Sequence, residues 1–176
     1  ISPSLLREQI KYLSSYGSLV SFSEGLRLYK SNKINEPIIS FSFDDGYSGV
    51  YNYAKNILKE FNITGLCSVC SNFYNNKELF WRLKLAYIHL NFGDRFLRSK
   101  LKKIGFNISK DRISKFTLDF FNLEIIKMID DVFYKYKIDE YKIISELFMD
   151  KDMLNHLVNE GWSIGNHSTN HYPYSE

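Results

Sequence analysis

Apolar residues open the chain at helical spacing. Leu5, Leu6, Ile10 and Leu13, with Gln9 among them, read as an amphipathic helix behind Ser2-Pro3-Ser4. Ser2 is placed to accept an orphan amide bond, Pro3 suits the first turn, and Gly17 suits a left-handed stop. Residues 23–29 give a shorter helix. After Pro37 the pattern changes to Ile38-Ile39-Ser40-Phe41-Ser42-Phe43, a short β-rich run that reads as one buried strand and stops at Asp44-Asp45-Gly46. Helical spacing returns over Val50 to Phe61, with Ala54, Ile57, Leu58 and Phe61 on one side. Ile63 to Val69 reads as a second strand. This β-α-β order predicts an α/β fold with parallel strands and helices outside.

From residue 77 to 149 the spacing is helical, with no clear strand. Leu79, Leu83 and Ala86 form one stripe, Ile125, Ile129, Val132 and Phe133 a second, and Ile143, Ile144 and Leu147 a third. Charge is segregated within this stretch. Residues 94–115 carry eight basic and two acidic side chains, and residues 116–160 carry five basic and ten acidic. Such runs normally face water, and the expectation is a solvated helical insertion with complementary faces. The sharper alternative is a patch for an anionic partner around Arg95, Arg98, Lys102 and Lys103. The tail returns to α/β: Asp150 caps a helix through Met153, Leu154, Leu157 and Val158, Gly161 ends it, and Trp162 to Gly165 gives a third strand.

Composition narrows the class. The 176 residues are 44% hydrophobic, 24% charged and 16% aromatic, which excludes intrinsic disorder and supplies a core for one domain. A formal charge of +3 gives no argument for nucleic acid, and no apolar run is long enough to span a membrane. Two Cys residues do not make a disulfide framework and do not report the compartment. The chain begins with Ile, so the expectation is that it is an excerpt or that something was removed.

Two clusters carry chemistry, each where a strand gives way to a loop. Adjacent carboxylates at Asp44-Asp45, at the end of an apolar strand, are costly unless something positive neutralises them. His167 and His171 are four residues apart in His167-Ser168-Thr169-Asn170-His171 and can converge on one cation. One carboxylate and two imidazoles, with positions left for water, suit a catalytic divalent metal. In parallel α/β folds ligands bind at the carboxyl ends of strands, where both clusters fall. Taken singly, each has a plainer reading: Asp-Asp-Gly as a turn with a helix cap, and the His pair as surface residues.

The segment Ile39 to Tyr47 and the segment Trp162 to His171 together resemble the two leading motifs of the polysaccharide deacetylases, the NodB-homology domain of carbohydrate esterase family 4. The first has Ser42 in place of Thr and Tyr47 in place of Pro; the second is the His-Ser/Thr-x-x-His motif. Ser2-Pro3 through Gln9, Leu13 and Val20-Ser21 resembles the lead-in of one bacterial branch, and Asn52-Tyr53-Ala54 through Lys59 resembles the helix after the first motif. The likeness spans about 1–76 and 148–176, with a branch-specific insertion at about 77–147.

The resemblance implies a metal-dependent hydrolase removing N-acetyl or similar acyl groups from amino sugars of a glycan. It implies Asp45, His167 and His171 as metal ligands, Asp44 as general base, and Ser168 holding the His loop by hydrogen bonding. The implied cofactor is a divalent ion, zinc first, with cobalt or nickel as substitutes. Relatives act on envelope and capsular glycans. The implied fold is an incomplete (β/α)7-type barrel carrying the helical insertion. The family's later motifs, including the one with the catalytic acid, fall beyond Glu176, and His89 and His156 sit in the wrong contexts to replace it. Residues 1–176 alone are therefore expected to be inactive. The alternatives are a non-catalytic carbohydrate-binding or assembly relative, and a small-molecule amidohydrolase or deformylase on the same scaffold.

Other conspicuous residues have structural readings. Cys67 and Cys70 fall on or beside a strand with no second pair or nearby His, and read as core. Trp81 and Tyr87 read as helix packing. Tyr47 fits either the lining of a sugar cleft or support for the loop. Ser175, after Tyr172-Pro173-Tyr174, fits the cap of a following helix.

Overall fold

The structure is a computed structural model that describes residues 1–73, 78–107 and 122–171. In chain order the elements are α1 (Pro3–Leu13), β1 (Ser18–Leu19), α2 (Phe22–Lys30), β2 (Ile38–Ile39), β3 (Ser42–Phe43), a π-helical turn (Val50–Ala54) running into α3 (Lys55–Glu60), β4 (Leu66–Val69), α4 (Trp81–Lys103), α5 (Leu123–Lys135), α6 (Glu140–Leu147), α7 (Lys151–Asn159) and β5 (Ser163–Asn166). The chain divides into two compact units, residues 1–77 with 144–170 and residues 78–143 with 171–176.

The first unit is α/β, and its five named strands pair in parallel. β1 pairs with β2, while β3, β4 and β5 lie side by side in that order. The run 38–43 is not the single buried strand its pattern suggests. It breaks at Ser40-Phe41 because its two halves serve different sheets: β2 pairs with β1, which has no hydrophobic signature of its own, and β3 pairs with β4. Both halves are at most half-buried.

Helices cover the strands with the apolar sides that their spacing predicts. Ile10 of α1, Ile57 and Leu58 of α3, Cys67 of β4 and Leu157 of α7 are almost fully buried in one core. Each such aliphatic residue is worth roughly 1.5–3 kcal/mol of burial. Ser2 caps α1 by accepting from the Leu5 N–H at 3.2 Å, and Asp150 caps α7 by accepting from Met153 at 2.8 Å. Gly161 stops α7 at φ +86°. Gly17 does not play the matching part for α1, since its φ is not positive. It is needed for space instead, because a Cβ there would lie 2.4 Å from the Pro37 carbonyl oxygen.

The second unit is helical among its described residues. α4 is broken at Gly93, whose φ of +79° and ψ of 168° lie outside the helical region. Leu85, Ile88, Leu97 and Leu101 of α4 are buried, as are Ile125, Ile129, Val132 and Phe133 of α5. The stripe Leu79, Leu83, Ala86 does not hold. Leu83 is half-buried and Ala86 exposed, while Lys84 turns inward at 7% exposure. The reason is electrostatic: Lys84 Nζ sits 2.9 Å from Asp130 and 3.1 Å from Glu140. Glu140 also accepts from the Leu79 N–H at 2.6 Å. In the third stripe only Ile144 is buried, and Leu147 faces solvent. Trp81 is buried and the Tyr87 ring packs 5.6 Å from Phe133, so both are packing residues. Within the basic stretch Arg98 is bound to Asp94 at 2.7 Å, while Lys110, Arg112 and Lys115 lie outside the described residues. No helix is long and apolar enough to cross a membrane, among the described residues.

Candidate metal centre

Strand register brings the two sequence clusters to one level of the sheet. Phe43 is in register with Cys67, and Val69 with Asn166. Two residues beyond Phe43 the chain reaches Asp45, and one beyond Asn166 it reaches His167. Both therefore emerge at the carboxyl end of the sheet, on either side of β4. His167 Nε2 lies 3.5 Å from Asp45 Oδ1, an oxygen shut off from solvent. The ligand atoms of Asp45, His167 and His171 all lie within 4.8 Å of one another. One carboxylate oxygen and two imidazole nitrogens at this spacing fit a divalent cation of the zinc type. Asp44 is exposed beside them.

The backbone is bent hard to achieve this. Asp45 has φ +69°, Ser168 +70° and His171 +55°. Left-handed conformations cost an L-residue roughly 1–2 kcal/mol, less for Asp and His than for Ser. Three such residues in one cluster have to be held there by their neighbours. Gly46 follows at φ +82° against the side of β4, where a Cβ would come 2.9 Å from Val69 Cγ1. That explains the glycine of Asp-Asp-Gly. The Asp loop is further tied down by 146–149: Met149 N–H donates to the Gly46 carbonyl at 2.9 Å and Ser48 Oγ to the Glu146 carbonyl at 3.0 Å. Tyr47 stacks on Phe148 with ring centroids 5.0 Å apart, which makes it a support for this loop.

The His loop is held from β4. His167 N–H donates to Val69 O at 2.9 Å, and Cys70 Sγ donates to His167 O at 2.9 Å. Ser71 N–H donates to Ser168 O at 3.2 Å, Asn72 N–H to Thr169 O at 3.3 Å, and Asn72 Nδ2 to Asn170 Oδ1. The Phe80 ring lies 4.7 Å from that of His171. Cys67 and Cys70 are both fully buried and unbridged. Burial, with the charges of Asp44 and then Asp45 adding to it, pushes the Cys67 thiol up to about 12. Burial and the Asp45 charge push Cys70 up to about 11, although a hydrogen bond to Ser168 works the other way. Tyr47 is pushed up to about 12 by burial first, then by Asp45 and Cys70. All three stay protonated at neutral pH, so Cys70 can donate its S–H.

Sequence reasoning missed Cys70, Ser71 and Asn72 as partners of the His loop, and Phe148 as partner of Tyr47. No spacing signal marks them, because each acts on a residue far along the chain. His89 and His156 lie in surface pairings, with Asp94 at 3.3 Å and with the Tyr51 hydroxyl at 2.6 Å. Tyr172 to Ser175 lie outside the described residues.

Fold and site together define an α/β protein whose parallel strands present carboxylate and imidazole groups at their carboxyl ends. The family model for polysaccharide deacetylase matches residues 31–176, a span that holds both clusters, and the chain belongs to that family. No curated protein and no solved structure matches it.

Proposed function

We propose that the protein is a metal-dependent hydrolase that removes N-acetyl, or a similar acyl, group from amino sugars of a glycan. The observation that carries this reading is the approach of His167 to Asp45 within 3.5 Å at the carboxyl ends of β3 and β5, with His171 on the same loop. Family membership supports the reaction class. Asp45, His167 and His171 would hold the ion, zinc first, with cobalt or nickel as substitutes. A divalent ion there supplies a Lewis acid for the acyl carbonyl and brings the pKa of water toward ~7. Asp44 takes a proton from the attacking water; its exposure leaves it open to solvent and substrate. Ser168 turns the chain between the two imidazoles. The strands form the first part of a (β/α)7-type barrel, and residues of about 77–147 are an insertion in that single domain.

Two substitutions separate the roles. Asp44→Asn in the full-length protein is expected to keep zinc affinity and lose turnover on an acetylated amino-sugar oligomer. Normal turnover would remove Asp44 as the base. Metal binding without turnover in the wild type would favour a non-catalytic carbohydrate-binding relative.

A further inference from the structure

We propose that Cys70 and Asn72 are positioning residues that fix the histidine loop, and hence the imidazoles, for metal binding. The proposal rests on the metal-centre reading above and goes beyond it to residues outside both motifs. Cys70 to Asn72 face His167 to Thr169 residue by residue, extending the parallel pairing of β4 and β5 past its register at Val69 and Asn166. An ordinary ladder would continue in extended backbone. Here Ser168 takes φ +70° and His171 +55°, which swings the loop out of the sheet. Backbone donors alone, from Ser71 and Asn72, meet this loop at 3.2 and 3.3 Å, near the long end of the range.

The two side chains close the gap. Cys70 Sγ reaches the carbonyl of His167 itself, and Asn72 Nδ2 reaches the side chain of Asn170, next to His171. Cys70 is fully buried, so its donor has no water to turn to. An S–H that donates to a loop carbonyl gives this cysteine a use in a loop with no disulfide partner. Groups that orient metal ligands in this way typically change metal affinity by roughly 10–100-fold when removed.

The test compares Asn72→Ala, Cys70→Ala and Cys70→Ser with wild type in zinc competition against a chromophoric chelator. A metal-free readout is added: the imidazole NMR signals of His167 and His171. Asn72→Ala and Cys70→Ala are expected to weaken zinc binding about tenfold or more and to shift and broaden both signals. Cys70→Ser, which restores a donor, is expected to recover most of the loss. Zinc affinity unchanged in both alanine variants, with unmoved imidazole signals, overturns the proposal while leaving the metal centre intact. Failure of Cys70→Ser to rescue overturns it for Cys70, since packing alone would then account for the loss. If the wild type binds no zinc but the signals still move in Asn72→Ala, the metal reading falls and the positioning role stands.

Discussion

The α/β unit and the helical unit solve the burial problem in opposite ways. The helical unit uses long elements. The two segments of α4, broken at Gly93, and the 13-residue α5 present apolar stripes, and one inward lysine is answered by two carboxylates. The α/β unit uses strands of two to four residues, too short to order their own loops, and it holds those loops by hydrogen bonds between distant segments. The left-handed residues Asp45 and Ser168 and the candidate ligands Asp45 and His167 are in the α/β unit. One unit rests mainly on packed helix stripes and the other on hydrogen bonds between distant loops, and the strained backbone at Asp45 and Ser168 lies with the latter.

Substitutions should separate the two regions. The largest effect is expected from Asp45→Asn, which should lower zinc affinity by more than the roughly 10–100-fold typical of residues that only orient ligands. The same variant should unfold in denaturant like wild type when metal-free, and a matching loss of stability would mean that Asp45 is a structural residue. Lys84→Met should do the reverse. It leaves Asp130 and Glu140 without their buried cation and should cost about 2 kcal/mol, less than a fully buried pair because both carboxylates reach solvent. Its zinc affinity should equal that of wild type, measured in the same competition assay.

Alkaline titration gives a third, smaller contrast. Cys67 and Cys70 have folded pKa values above the ordinary thiol value, so the stability they contribute is complete below about 9 and drains away as pH rises toward 11 and 12. Burial opposes the Lys84 ammonium, but Asp130 and Glu140 outweigh it and leave its pKa above the usual 10.5. Its contribution therefore persists up to that pH and is lost only beyond it. Denaturation midpoints from pH 8 to 11 should begin to fall near pH 9 in wild type and fall less in Cys67→Ala. An unchanged slope in that variant would contradict the buried-thiol account. The smallest effect is expected at Arg7, whose pairing with Glu60 at 2.7 Å lies in solvent on both sides. Arg7→Ala should be indistinguishable from wild type in melting temperature.

What the sequence made legible follows the same division. Helix ends were readable where a side chain caps its own helix, as at Ser2 and Asp150, because that chemistry is local. The candidate ligands were readable because Asp45 and His167 each follow a strand with its own hydrophobic signature. The split of 38–43 was not, since it depends on a pairing with Ser18-Leu19 that leaves no mark in either segment. Lys84 escaped for a related reason: its inward turn is decided by Asp130 and Glu140, 46 and 56 positions away. The supports of the His loop are invisible in advance because most of the hydrogen bonds described for it use a backbone group.

The position of β4 between β3 and β5 has a consequence for what the centre can tolerate. Neighbouring strands are spaced by roughly 4.8 Å, so the backbones bearing Asp45 and His167 stand about twice that far apart. Side-chain length must span the interval, and it does so from both banks at once. A glutamate at position 45 would overshoot by one methylene, and a shorter donor at 167 would fall short. The middle strand thus acts as a gauge for reach, and donor swaps that preserve charge but alter length should fail even though the sheet beneath them is untouched.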